Sequence, residues 1–385
     1  MRETTAMFDE LVEFRHALHR APETGFEVSQ TASRIAARLR AAGLEVTEGV
    51  GGTGVVATLR SGEGGRAIGL RADMDALPIT EESALDYRSE VPGRFHGCGH
   101  DGHSTMLLGA AQALARDGGF TGTVHFVFQP DEENGRGAQA MIDDGLFARF
   151  PMDALFGLHN LPGLPVGHFA TKTGPFTASE EIFAITVQGR GGHASAPQHT
   201  IDPLVAGAEI ITGLQTIVAR AVDPGAYAVV SATEFLTDGA RNVIPSTVTI
   251  RGDVRAYDNE VSATVERRMR ELVTGITAAH GATATVDYAR EFEPTVNTAA
   301  EVVIAARAAA GIDGAQVQEK HPRMGFSEDF ARFLGHVPGC FMLMGNGTEG
   351  AHASPLHSPR YDFNDAGLPV GIAYWTRLVR EALAP

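Results

Sequence analysis

The chain has 385 residues, 43% hydrophobic and 20% charged, a balance that suits a globular protein with more than one core. Its net charge of −16 repels duplex nucleic acid and anionic membrane surfaces, so neither is expected as a partner. Only two cysteines, Cys98 and Cys340, exclude a disulfide scaffold, and no stretch has the ~18 apolar residues of a spanning helix.

The first ten residues lack the apolar core of a signal peptide, and with the cysteine count this gives a cytoplasmic expectation. Apolar residues at helical spacing predict helices over about 5–21 and 27–42, the second ending at Gly43. Strands follow at 54–60 and 67–73, then a helix from Ser104 to about Arg116, a strand at 122–129, a helix near 136–144 and a strand at 153–158. This alternation predicts an α/β architecture, a mixed, mostly parallel sheet flanked by helices. Residues 180–291 change rhythm to β-α-β-β-α-β, the split-βαβ, ferredoxin-like order. They are expected to form an inserted α+β dimerisation and lid domain between the two parts, 1–179 and 292–385, of a catalytic domain. A helix at 299–310, a strand at 340–344, a polar loop at 346–359 and a final helix at about 364–382 complete the chain.

The densest chemistry lies in His96-Gly97-Cys98-Gly99-His100-Asp101-Gly102-His103. Cysteine, histidine and aspartate are transition-metal donors, and glycine lets the backbone approach a ligand closely. Residues 97–102 also fit G-x-G-x-x-G, the dinucleotide fingerprint, but that motif needs an apolar strand before it, and Val91-Pro92-Gly93-Arg94-Phe95 makes a poor one. Gln129-Pro130-Asp131-Glu132-Glu133 is the second informative stretch. An acidic run of this kind is ordinarily a solvated turn. Placed after a buried-looking strand and opposite the Cys/His cluster, its two glutamates can divide the work, one ligating a metal and one acting as general base. Asp73, Asp75, the 131–133 acids and His159 all follow predicted strands, and ligands of open α/β sheets bind beyond strand carboxyl ends.

In chain order come Arg71-Ala72-Asp73-Met74-Asp75-Ala76-Leu77-Pro78, the octet, Gln129 to Glu133, and Gly157-Leu158-His159-Asn160. After these come Gly189-Arg190-Gly191-Gly192-His193, Asn242-Val243-Ile244-Pro245, Ser327-Glu328-Asp329-Phe330 and His357. This set resembles the metal-dependent amidohydrolases that include hippurate hydrolases, N-acyl-amino-acid amidohydrolases and plant indoleacetyl-amino-acid hydrolases, relatives of aminoacylases, desuccinylases and carboxypeptidases. The resemblance implies a two-metal site with Cys98, His100, Glu133, His159 and His357 as ligands and Glu132 as general base. It further implies that Asp75 orients a ligating histidine and that His193 supports the oxyanion, often in the partner subunit's site. Asn242 and Arg255 would bind the substrate carboxylate. At Asp73 the wider group has a metal-binding histidine; the resemblance implies that Cys98 and His100 take over that task here, so Asp73 is expected outside the ligand set. The chain departs from the usual pattern at Pro130-Asp131-Glu132-Glu133-Asn134, where Pro-Ala-Glu-Glu-Gly is common, and in carrying Phe326 before Ser327.

The expected reaction is hydrolysis of the amide of an N-acyl amino acid, acetyl, benzoyl or similar, by a metal-activated water. Two divalent ions are expected, zinc or manganese, with cobalt and nickel also compatible with the donors. A dipeptidase or an N-acyl-diaminopimelate-type deacylase differs only in the pocket. A non-catalytic metal-binding homologue is disfavoured by Glu132, and a serine hydrolase by the absence of a G-x-S-x-G elbow. The free edges or helical face of the inserted sheet need cover, which predicts a homodimer through that domain.

Overall fold

The computed structural model describes residues 2–384, with side chains from Phe8 onward. The chain forms two compact units: Met1–Phe176, Val296–Pro322 and Asp329–Pro385 in one, Thr177–Thr295 and Arg323–Glu328 in the other.

The first unit opens with helices α1 (Arg2–Arg20) and α2 (Ser29–Ala41), followed by strands β1 (Glu45–Val50), β2 (Gly54–Ser61) and β3 (Ala67–Asp73). Helix α3 (His100–Asp117), β4 (Gly122–Gln129), α4 (Gly137–Asp143), α5 (Leu146–Arg149), β5 (Ala154–Pro162), β6 (His168–Ala170) and the two-residue β7 (Gly174–Pro175) follow. In the second unit the order is β8 (Glu180–Gln188), β9 (Gly192–His193), α6 (Pro203–Arg220), β10 (Ala228–Thr237), β11 (Val243–Ile244), β12 (Thr247–Ala256), α7 (Asn259–Ala279) and β13 (Thr283–Phe292). The chain then returns with β14 (Val296–Asn297), α8 (Ala299–Ala310), β15 (Gln316–Gln318), α9 (Phe330–Leu334), β16 (Gly339–Gly347) and α10 (Gly367–Ala382).

The main sheet runs β1-β2-β4-β3-β5-β16-β6-β15. Its centre is parallel, β4 to β3 to β5 to β16, and antiparallel pairs lie toward both edges. The central strands are buried almost end to end, as a sheet covered by helices on both faces requires. Helix α3 packs closely because it carries glycines: a Cβ on Gly102 would meet the Phe363 ring at 2.4 Å. The mixed, mostly parallel sheet agrees with the sequence reading.

The second unit has the sheet order β10-β12-β8-β13, antiparallel throughout, the strand order of a split-βαβ arrangement. Ile185, Val187, Val248 and Ile250 from the sheet meet Ile210, Leu214, Val265 and Met269 from α6 and α7. Both helices start on aspartate caps: Asp202 accepts from Leu204 N, and Asp258 accepts from Glu260 N and Val261 N. The segment 323–328 joins this unit because Ala178 N donates to Phe326 O and Arg255 Nη1 donates to Ser327 Oγ.

Three local expectations need correction. His159 does not follow its strand: β5 continues to Pro162 because β16 keeps pairing, with Leu343 opposite His159 and Met344 opposite Asn160. Helix α3 starts at His100 rather than Ser104, with Gly99 before it in the left-handed region at φ 93°. Asp131 to Glu133 form a tight turn rather than an extended run, with Asp131 at φ 49°.

A candidate metal centre

The residues singled out in the first unit come from separate parts of the chain. Asp73 ends β3, Asp75 lies two residues on, and the Asp131–Glu133 turn follows β4. His159 lies within β5, His100 opens α3, Cys98 stands just before it, and His357 sits on the loop after β16. Among the described residues only Asp131 and His357 are non-glycine residues at positive φ, 49° and 65°. Left-handed backbone costs an ordinary residue on the order of 1–3 kcal/mol and persists where the surroundings demand it.

The donor atoms converge. Cys98 Sγ lies 3.4 Å from His159 Nε2. The other ring nitrogen of His159, Nδ1, lies 2.7 Å from the carbonyl oxygen of Asn160. A carbonyl only accepts, so Nδ1 carries the proton and Nε2 presents a lone pair toward Cys98. Burial, reinforced by the charge of His103, holds the His159 pKa well below its ordinary value, which keeps that lone pair available. His100 Nε2 stands 3.8 Å from Glu133 Oε1, 4.0 Å from Glu132 Oε2 and 3.8 Å from Asp73 Oδ2. His357 Nε2 is 3.4 Å from Glu133 Oε2. Three sets of donors each fall within 4.8 Å of one another: Cys98/His100/His159, Cys98/Glu133/His357 and His100/Glu132/Glu133.

Asp75 ties the turn to the helix. It accepts from Glu132 N at 3.1 Å and from Glu133 N at 3.2 Å, and its Oδ1 lies 3.5 Å from His100 Nδ1. Burial disfavours charge on His100, yet Asp73, Asp75 and Glu133 together hold its pKa up at about 10. Burial, with Asp75 and Asp73 adding to it, pushes Glu133 up to about 8 against the pull of His100. Both His100 ring nitrogens and Glu133 Oε1 are buried with no hydrogen-bond partner. Buried polar atoms are normally satisfied, so these point at a ligand that accepts N, O and S lone pairs. A divalent transition metal fits that donor chemistry.

His193, Asn242 and Arg255 belong to the second unit. His193 is exposed, and Ser195 N donates to its Nδ1 at 3.1 Å, which leaves the ring proton on Nε2. Asn242 lies beside it: Val243 pairs with His193, and Ala194 N donates to Asn242 O. Arg255 is already engaged, with Nη2 2.8 Å from Glu180, Nε 3.0 Å from Asp253 and Nη1 donating to Ser327 at 2.7 Å.

Two buried networks of the first unit escape a residue-by-residue reading. In one, Arg71 and His103 surround Asp73. In the other, Arg15 Nη1 and His19 Nδ1 lie 3.0 and 2.9 Å from Asp101 Oδ2, so Asp101 is an ion-pair hub. Their partners are far apart in sequence, and only the Arg71-x-Asp73 spacing offered a hint.

Residues 69–381 match the model of peptidase family M20/M25/M40. The chain is 39% identical to the hippurate hydrolase of Campylobacter jejuni, over 97% of each chain. It is 37% identical to an N-acetylcysteine deacetylase of Bacillus subtilis, again over 97% of both. The crystal structure of Bacillus subtilis YXEP, a dinuclear metal binding peptidase from the M20 family, superposes with a TM-score of 0.86 at 34% identity, covering 98% of this chain and 99% of that one. The chain therefore belongs to peptidase family M20/M25/M40 and is a metal-dependent amidohydrolase.

Proposed function

We propose that the chain hydrolyses the amide bond of N-acyl amino acids, releasing a carboxylic acid and a free amino acid, at a two-metal centre. The observation that carries this reading is the double membership of Cys98. Its thiol stands in one donor set with His100 and His159 and in another with Glu133 and His357, so one thiolate can serve two ions. Zinc or manganese suits this mixture of sulfur, nitrogen and oxygen donors. When bound, such ions lower the pKa of water and polarise the amide carbonyl.

The remaining work falls to the chain. Glu132, buried beside His100, takes the proton of the attacking water and delivers it to the leaving nitrogen as the C–N bond breaks. Asp75 holds His100 and both glutamate amides in register. His193 donates its Nε2–H to the oxyanion as the carbonyl carbon becomes tetrahedral, in trans within a homodimer. Asn242 binds the substrate carboxylate, and Arg255 joins it by exchanging one of its present partners. The second unit is the dimerisation and lid domain: its outer strand β10 has one unpaired edge and exposes Phe235 and Leu236, a surface that a second copy would cover. Both cysteines are buried and neither is in a disulfide, which suits action in the cytoplasm.

The test is Glu132→Gln, assayed on N-acetyl, N-benzoyl and dipeptide substrates with metal content measured in parallel. Turnover should fall by about 10²–10⁴-fold while metal stoichiometry holds. Near-normal turnover would refute the role of Glu132.

A further inference from the structure

Asp73 sits against the metal centre without an obvious reason to be outside it. Its Oδ2 lies 3.8 Å from His100 Nε2, and Asp73, His100 and His103 by themselves form a compact donor set. Glu133 Oε1 stands at the same 3.8 Å from His100 Nε2, so distance alone does not set Asp73 apart from the donors.

Its surroundings hold it there. Arg71, fully buried, donates through Nη1 to Asp73 Oδ2 at 2.8 Å. The guanidinium cannot turn away, because Nε donates to Gln129 Oε1 at 2.8 Å and Nη2 to Asp329 Oδ1 at 3.0 Å. Asp329 is fixed in turn by Gln129 Nε2 at 2.7 Å and by Ala138 N at 2.9 Å. The other oxygen, Asp73 Oδ1, is 2.6 Å from His103 Nδ1. A carboxylate only accepts, so Nδ1 carries a proton that points at Asp73, while Nε2 lies 2.6 Å from Asn160 Oδ1 and 3.1 Å from Asn160 N. Asn160 O is also the acceptor for His159 Nδ1, which makes Arg71, Asp73, His103 and Asn160 a continuous brace behind a proposed metal donor.

We propose that Arg71 is a positioning residue that holds Asp73 out of the metal set and reserves it for orienting His103, and through Asn160 His159. A charge-assisted hydrogen bond to a guanidinium is among the stronger ones available, and partners of this kind behind metal ligands tune affinity by about 10- to 100-fold. The inference rests on the two-metal reading above.

The experiment uses the full chain loaded with Co(II), read by cobalt content, competitive chelation and visible absorption. Asp73→Asn, nearly isosteric, should keep the wild-type number of cobalt ions and the wild-type d–d intensity, with affinity weakened about 10- to 100-fold. Loss of a cobalt equivalent in this variant would make Asp73 a ligand and overturn the proposal. Arg71→Met should lower the d–d intensity, because the released carboxylate adds an oxygen donor and raises the coordination number. The double variant Arg71→Met/Asp73→Asn should restore the wild-type spectrum, which a purely structural role for Arg71 would not do. An unchanged spectrum in Arg71→Met, or no restoration in the double variant, also overturns it. Should Arg71→Met fail to fold, Asp73→Asn alone decides. A wild-type chain that binds no cobalt would remove the metal reading itself, an outcome distinct from a metal-loaded wild type with a defective Asp73→Asn.

Discussion

Replacing His19 by glutamine and following stability against pH tests the buried network behind the centre. His19 Nδ1 bonds Asp101 Oδ2 at 2.9 Å, and Nε2 lies 3.4 Å from Glu81 Oε1, both out of solvent. Burial opposes charge on the ring, but hydrogen bonds to Asp101 and Glu81 outweigh it and hold the pKa at about 9 against an ordinary 6.5. The folded chain therefore binds this proton more tightly than the unfolded one. The resulting stabilisation is complete below about pH 6.5 and disappears as pH rises through about 9. At 1.36 kcal/mol per pKa unit the effect is on the order of 3 kcal/mol. Asp101 works the other way: although burial disfavours its charge, Arg15 and His19 hold its pKa far below the carboxylate range, so its contribution fails only in strong acid. Denaturant unfolding of wild type and His19→Gln at pH 6, 8 and 10 isolates the histidine, because every other titrating group is common to both. The stability gap should narrow by roughly that amount between pH 6 and 10. A gap independent of pH would refute a charged His19.

Cys98→Ser should bind fewer metal equivalents than wild type, by elemental analysis, and the metal-free wild type should lose metal binding on peroxide treatment where the variant does not. Gly99→Ala should destabilise the fold by at least about 2 kcal/mol and weaken metal binding, since φ 93° is left-handed and the new Cβ would lie 2.5 Å from Tyr361 Oη and 2.6 Å from Asn160 Oδ1. Differential scanning calorimetry and chelator competition check both effects, and a variant as stable as wild type would contradict the close packing. Metal affinity should weaken by roughly ten-fold or more per pH unit below 8, because binding must displace protons from His100, held at about 10, and Glu133, at about 8. A flat affinity profile between pH 6 and 8 would show that these two are not donors.

The first unit's parallel strands were legible because β3, β4 and β5 are built on short apolar runs, β3 and β4 ending in a polar residue, a pattern set by burial on both faces. The edge strands β1, β6 and β15 were not, because half-exposed strands of mixed polarity carry little periodic signal. Cys98, His100, Glu133, His159 and His357 could be named from motif order, since each is the chemically distinctive residue of its motif. Their convergence could not, nor could the braces behind them. Arg15 meets Asp365 across 350 positions, and Arg71 meets Asp329 across 258. The engagement of Arg255 was equally hidden: Asp253, two residues away, shares its strand face, but Glu180 lies on β8 and comes opposite only once the strands are paired.

The backbone strain and the charge of the centre have a common origin. Five acidic or thiol groups, Asp73, Asp75, Cys98, Glu132 and Glu133, are drawn around His100 in a largely buried space. Arg71 offsets one of them, and protons held by His100 and Glu133 offset others. A fold that gathers like charges at this density needs rigid supports, and it has them: Asp75 bonded to two consecutive amides, a non-glycine left-handed turn at Asp131 and a left-handed His357. They hold these side chains at spacings of 3.4–4.0 Å, so that on the proposed two-metal reading divalent ions would replace protons with little movement of the chain.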